Sequence, residues 1–241
     1  MAAGIDFSQY KALSFDCYGT LIDWEAGITA WARAWQSETG APVSAEQFVA
    51  DFAKTERVVQ SERPSDRYPL ILADVGRRIA ASHGLQMSEA AATSFGQSVG
   101  DWPAFADSTE TLRSLRERFK LVILSNVDRA SFARSQETLA VAFDAIITAE
   151  DVGSYKPDPQ NFDTLLATID GMGIPKHALL HVGESLFHDI VPATRDGIDV
   201  VWIDRGGASG RPRASGSASG DIKPLATFPS MKSFADAALL T

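Results

Sequence analysis

Apolar residues occur along this chain in short, near-continuous runs, each closed by a polar or small residue. Ala12-Leu13-Ser14-Phe15 ends at Asp16, and Leu121-Val122-Ile123-Leu124 ends at Ser125-Asn126. Ala145-Ile146-Ile147 ends at Thr148, Leu179-Leu180-His181-Val182 at Gly183-Glu184, and Val200-Val201-Trp202-Ile203 at Asp204-Arg205. Runs without polar alternation predict strands covered on both faces, as in a parallel sheet. Helical spacing fills the intervals, over about 108–118, 129–140, 159–170 and 186–196, with Leu112, Leu115 and Phe119 marking the buried side of the first. Strand alternating with helix predicts an α/β domain.

Residues 24–107 break this rhythm, with helix following helix and no comparable strand. Ser44-Ala45-Glu46-Gln47 reads as a capping box opening a helix that runs to about 60. A second helix is predicted over about 68–83, stopped by Gly84. The expected organisation is therefore a core formed by 1–23 and 108–241, interrupted by a helical cap over 24–107. Residues 205–221, RGGASGRPRASGSASGD, predict a flexible surface loop with three arginines. A short closing helix is expected over about 230–240.

Composition narrows the class without choosing a function. The 241 residues are 45% hydrophobic and 22% charged, enough to fill a core. Lys and Arg total 22 against 31 Asp and Glu, a formal charge of -9, which disfavours general nucleic-acid binding but leaves room for a small anionic substrate. Cys17 is the only cysteine, so an intrachain disulfide or a cysteine-based zinc cluster is excluded. No apolar stretch reaches transmembrane length, and the N-terminal residues lack a signal-peptide pattern. The expectation is a cytoplasmic protein that does not engage membranes.

In a parallel sheet, ligands gather beyond the carboxyl ends of the strands. Polar residues from four segments are predicted there: Asp16, Tyr18 and Thr20; Ser125 and Asn126; Lys156 before Pro157-Asp158-Pro159; and Glu184 with Asp189. Asp16 is the candidate nucleophile, since a carboxylate attacks carbon or phosphorus to give an ester or acyl phosphate that water resolves. Gly19 lets the chain fold back so that nearby amides can surround an anion. Thr20 and Ser125 supply hydroxyls, and Lys156 a charge to orient the attacked group. Taken singly, each of these residues also fits a cap, a turn or a solvated surface position.

Together the four segments resemble the motifs of the haloacid dehalogenase (HAD) superfamily. Phe15-Asp16-Cys17-Tyr18-Gly19-Thr20-Leu21-Ile22-Asp23 is similar to the first, Leu124-Ser125-Asn126 to the second, Lys156-Pro157-Asp158-Pro159 to the third, and Val182-Gly183-Glu184-Ser185-Leu186-Phe187-His188-Asp189 to the fourth. The resemblance spans about 11–204 and implies a Rossmann-like core with an inserted helical cap and an aspartate nucleophile. Superfamily phosphatases usually carry an aspartate two residues after the nucleophile, as acid and base for the leaving alcohol. Tyr18 stands there instead, and a phenol of pKa ~10 is a poor substitute. Tyrosine in that slot resembles the type II (S)-2-haloacid dehalogenases, whose halide leaves without a proton.

That resemblance implies attack by Asp16 on C2 of a short 2-haloalkanoate and hydrolysis of the resulting ester to a 2-hydroxy acid. Thr20, Ser125 and Lys156 would hold Asp16 and the substrate, with Tyr18 lining the site and Asn126 beside the halide. A cap arginine would bind the carboxylate; of Arg33, Arg57, Arg63 and Arg67, the expectation falls on Arg57 and Arg67. A homodimer is implied as well.

Two departures leave alternatives open. Glu184 and Asp189 resemble the acidic pair that helps hold magnesium in the phosphatases, so Asp16, Glu184 and Asp189 form the ligand set if Mg²⁺ binds. The preferred reading has no cofactor: Asp189 orients or activates water and Glu184 pairs with Lys156. Phe162 falls where the family carries a tyrosine. Trp24, Trp31, Trp35, Phe52 and Tyr68 are candidates for cap packing, with one or two reaching a dry pocket. His181 is read as a packing residue, and His188 as a rim candidate. The competing functions are a Mg²⁺-dependent small-metabolite phosphatase and a catalytically weak binding protein.

Overall fold

The computed structural model describes residues 5–206 and 224–240. Its six strands are β1 (Ala12–Phe15), β2 (Lys120–Ser125), β3 (Ala145–Thr148), β4 (Leu179–Gly183), β5 (Asp199–Ile203) and β6 (Ala226–Phe228). They form one parallel sheet in the order β3-β2-β1-β4-β5-β6. The α/β class expected from the apolar runs is therefore the observed one. The order reverses between β1 and its neighbour β4, and the crevice at such a switch point is where ligands bind. Phe15 pairs with Ile123 on one side and Val182 on the other, which sets Asp16 at the centre of the sheet's carboxyl edge.

Helices cover both faces. On the core side these are α5 (Ser108–Arg116), α6 (Arg129–Leu139), α7 (Ala149–Val152), α8 (Pro159–Gly171), α9 (Val191–Arg195) and α10 (Met231–Leu239). Ahead of α9, Leu186–Ile190 winds as one wide π-type helical turn, so the helix expected over about 186–196 is divided. Strand β6 falls outside the expected elements. Most of the Gly/Ser-rich stretch expected as a loop lies outside the described residues. Arg205 at its start is anchored, with its guanidinium bonded to Thr20 O at 3.0 and 2.7 Å, paired with Asp107 at 3.0 Å, and 3.8 Å above the Phe105 ring.

Between β1 and β2 run α1 (Trp24–Thr39), α2 (Ala45–Glu62), α3 (Tyr68–Ser82) and α4 (Glu89–Gln97). Ser44 caps α2 by accepting from Gln47 N at 3.1 Å, but the Gln47 side chain turns to Asp51, so the reciprocal half of the expected capping box is absent. Gly84, at φ +72°, takes the left-handed position just after α3, as its stop signal predicted. Trp31, Trp35, Phe48 and Phe95 pack ring against ring at the centre of these helices. The segment leaves and rejoins the core through paired backbone: Asp23 N donates to Pro103 O at 2.8 Å and Phe105 N to Leu21 O at 3.0 Å. No helix among the described residues is long and apolar enough to cross a membrane.

Candidate active site

The loop after β1 is built to hold Asp16 against the end of the sheet. Asp16 N donates to Val182 O at 3.0 Å, and the chain then doubles back, with Leu21 N and Ile22 N both donating to Cys17 O. Gly19, at φ +101°, permits that turn, since the conformation strains any residue with a Cβ. The reversal brings Thr20 under the carboxylate. Thr20 Oγ1 donates to Asp16 Oδ2 at 2.8 Å and accepts from Glu184 N at 3.0 Å, joining the β1 and β4 loops.

Lys156 occupies the centre of the site and is almost wholly buried, at 1% exposure. Its ammonium donates to Asp16 Oδ1 at 3.0 Å, Leu124 O at 2.8 Å and Asp189 Oδ1 at 2.6 Å. These acceptors occupy all three donors, and Glu184, which the sequence reading paired with Lys156, is not one of them. Asn126 fixes the lysine from behind: its Oδ1 accepts from Lys156 N at 2.7 Å and its Nδ2 donates to Lys156 O at 3.0 Å. The amide therefore acts first on the lysine backbone, although Asn126 also lines the cavity.

Burial disfavours every charge here, and the neighbours decide which survive. For Asp189, the Lys156 ammonium and His181 overcome burial and hold the carboxyl far below the usual range. For Asp16, burial prevails over Lys156, Asp189 adds repulsion, and the carboxyl is pushed up. Burial opposes the Lys156 charge as well, but the two aspartates outweigh it and raise its pKa. One lysine thus serves two carboxylates held in opposite directions.

A cavity of about 80 Å³ opens above this triad, between the core loops and the helices inserted after β1. Asp16, Tyr18, Asn126, Lys156, Glu184, Ser185 and His188 line it from the core, and Trp24, Phe52, Glu56, Arg57 and Tyr68 from the inserted helices. Tyr18 directs its hydroxyl to Ser135 Oγ at 2.7 Å, and burial raises its pKa, so it stays a neutral phenol. Arg57 sits with its guanidinium 5.0 Å from the Phe187 ring centroid. Arg57 Nε, Ser125 Oγ, Asp189 Oδ2 and His188 Nε2 are buried without a hydrogen-bond partner among the described residues. Such atoms cost free energy unless something meets them, and they concentrate where a ligand or water binds. Burial pushes His188 down to about 4, leaving its imidazole neutral at pH 7.

The other residues singled out from the sequence lie elsewhere. Arg67 is exposed and pairs with Glu150, Arg33 pairs with Glu46, and Arg63 with Asp66 and Asp74. Trp31 and Trp35 belong to the aromatic packing of the inserted helices, whereas Trp24, Phe52 and Tyr68 reach the cavity together with Trp102. Phe162 is buried edge-on against His181, whose Nδ1 meets Ser14 Oγ at 2.9 Å. Glu56 escaped the sequence reading. It is one glutamate on an amphipathic helix, and its place in the cavity depends on how α2 docks.

A family model for haloacid dehalogenase-like hydrolases matches residues 10–195. The chain belongs to this family. An (S)-2-haloacid dehalogenase from Pseudomonas putida is 31% identical over 104 residues, which is 42% of this chain and 44% of that protein. Among solved structures, the L-2-haloacid dehalogenase from Xanthobacter autotrophicus with chloropropionic acid covalently bound superposes with a TM-score of 0.80 at 17% identity, covering 95% of this chain and 98% of that one. A HAD hydrolase from Bacillus subtilis bound to magnesium reaches 0.77 at 16% identity, covering 95% and 99%. The fold is thus shared with hydrolases of both kinds. In this chain no group of three or more His, Cys, Asp or Glu among the described residues is arranged to hold a metal ion. The cation between Asp16 and Asp189 is Lys156.

Proposed function

We propose that this hydrolase converts short 2-haloalkanoic acids to 2-hydroxy acids through an ester on Asp16, without a metal. One observation carries the reading. Tyr18, two residues after the nucleophile, meets Ser135 Oγ with its hydroxyl and has its pKa raised further by burial, so that position offers a far weaker acid for a leaving alcohol than a carboxyl would. A halide leaves without one. The small cavity, with aromatic walls and the Arg57 guanidinium, suits a short carboxylate in a largely dry site.

In the first step the Asp16 carboxylate attacks C2, the C–halogen bond breaks, and halide departs with the bonding pair. Thr20 and Lys156 hold the two carboxylate oxygens, which fixes the attacking geometry. Water then adds to the ester carbonyl of Asp16, the ester C–O bond breaks, and the 2-hydroxy acid leaves as one proton is released. Asp189, strongly acidic beside Lys156, orients that water rather than holding its proton. Arg57 binds the substrate carboxylate, and the inserted helices act as a cap over the nucleophile. A cytoplasmic enzyme, assembled as a homodimer, completes the reading.

The test is halide release from L-2-chloropropionate with and without EDTA, beside an Asp16→Asn control. Release that survives EDTA and vanishes in the control is expected. No release from the intact protein, together with Mg²⁺-dependent phosphate release from an aryl phosphate, would replace this reading with the phosphatase alternative built on Glu184 and Asp189.

A further inference from the structure

Glu56 is a carboxyl that the proposed chemistry leaves unused, although it lines the same cavity as Asp16 and Arg57. Its two oxygens are partnered differently. Tyr68 Oη donates to Glu56 Oε1 at 2.5 Å, and Gln60 Nε2 donates to the same oxygen at 3.3 Å. Oε2 receives no hydrogen bond among the described residues. With Oε1 already accepting two donors, a proton on this carboxyl belongs on Oε2, where it makes an O–H donor.

We propose that Glu56, protonated on Oε2, is a specificity-determining residue that donates a hydrogen bond to the carboxylate of the bound substrate beside Arg57, and that its ionisation weakens binding. This rests on the reading of the cavity as a site for a short carboxylate. Neutral, Glu56 helps Arg57 to satisfy the anion. Ionised, it sets a negative charge beside it and offers no donor.

The charges around Glu56 agree with that role. Burial pushes its carboxyl up to about 7, with the Asp16 charge reinforcing the shift and Arg57 and the Tyr68 hydrogen bond opposing it. From α3 the facing group is Tyr68; from α1 it is Trp24, which carries no charge; and Tyr155, before α8, also senses the Glu56 charge. Burial holds both tyrosines neutral. Across the cavity stand Lys156, Glu184 and His188. A second anion entering this space raises the Glu56 pKa further, so binding draws a proton from solution above pH 7.

Propionate, which lacks a leaving group, is the probe. Its binding is measured by calorimetry at pH 5.5–8.5, in pairs of buffers that differ in ionisation enthalpy. For the parent protein, Kd should be flat below pH 6 and then rise by up to about tenfold per pH unit above 7. Half a proton or more should be taken up at pH 7.5. Glu56→Gln keeps a donor in place and should give a flat Kd with no uptake. Tyr68→Phe, which removes the bond favouring the ionised form, should move the midpoint to higher pH.

The proposal is overturned if Kd is independent of pH in the parent, if Glu56→Gln leaves the uptake unchanged, or if propionate fails to bind at pH 6. Halide release separates the two readings. Proton-linked propionate binding without halide release keeps the role of Glu56 and removes dehalogenation. Halide release with pH-independent binding does the reverse.

Discussion

Replacing Lys156 by methionine tests the electrostatic design of the site. The change keeps most of the side-chain volume and deletes one charge. It leaves Asp16 and Asp189, whose side chains are 10% and 0% exposed, facing a missing cation, and removes one donor from Leu124 O. Breaking a buried pair by removing one partner costs about 3–5 kcal/mol. At 1.4 kcal/mol per tenfold, that is about two to four powers of ten in the unfolding equilibrium. Urea unfolding followed by tryptophan fluorescence measures it. Adding Asp189→Asn removes one stranded charge, so the double variant should lose less than the sum of the two singles, by at least ~1 kcal/mol. The deficit should also shrink on acidification. Asp189 has a depressed pKa in the parent, so its stabilisation is present above the unfolded carboxyl pKa and is lost as pH falls; in the variant the buried carboxyls favour protonation instead. A loss under ~1 kcal/mol, or strict additivity of the two substitutions, would refute this account of the triad.

Further perturbations address other supports. A Cβ on Gly183 would stand 2.7 Å from Asp189 Cβ and 2.8 Å from its Cγ. Gly183→Ala should therefore cost about 1–3 kcal/mol in denaturant melts and lower kcat by displacing Asp189. Arg205→Met removes both bonds to Thr20 O and the ion pair with Asp107, and should cost about 1–3 kcal/mol while lowering kcat more than it raises KM. For Glu56, the raised folded-state pKa means the native protein holds an extra proton between about pH 4.5 and 7. Stability should decline across that window and level off above it. Glu56→Gln should remove the share of the decline due to Glu56, and an unchanged pH profile of the melting midpoint would count against the assignment.

The sequence was most legible where structure is local. Five of the strands are apolar runs long enough to stand out, and each delivers its polar terminator to the same sheet edge. β6 has only three residues, Ala226–Phe228, and follows a Gly/Ser-rich stretch, so neither length nor alternation distinguishes it. Asp16, Lys156 and Asp189 stand out in the sequence because each sits in a short stretch of characteristic residues, but their shared hydrogen bonds arise only when β1, β4 and the turn before α8 meet. Trp24, Trp31 and Trp35 lie on one helical stripe, and nothing in the spacing says that Trp24 faces the cavity while the other two face neighbouring helices. The same limit hid Glu56, whose partner Tyr68 comes from the next helix. Arg205 carried a misleading local signal, since its composition belongs to a linker and its contacts to the Asp16 loop.

The paired backbone at Leu21–Asp23 and Pro103–Phe105 has a modular consequence. Residues 23 and 103 are one hydrogen bond apart, so the whole excursion begins and ends at a single ribbon. The sheet, the Asp16 loop and Lys156 lie on the near side of that ribbon, while Glu56, Arg57 and Tyr68 lie on the far side. On the proposed function, reactivity and selectivity are thus encoded in separate stretches of chain that meet only in space. A helical cassette whose ends close to one strand spacing, about 4.8 Å, matches the geometry of that ribbon. A chimera exchanging 24–102 should exchange the acids accepted while keeping the attacking carboxylate where it is.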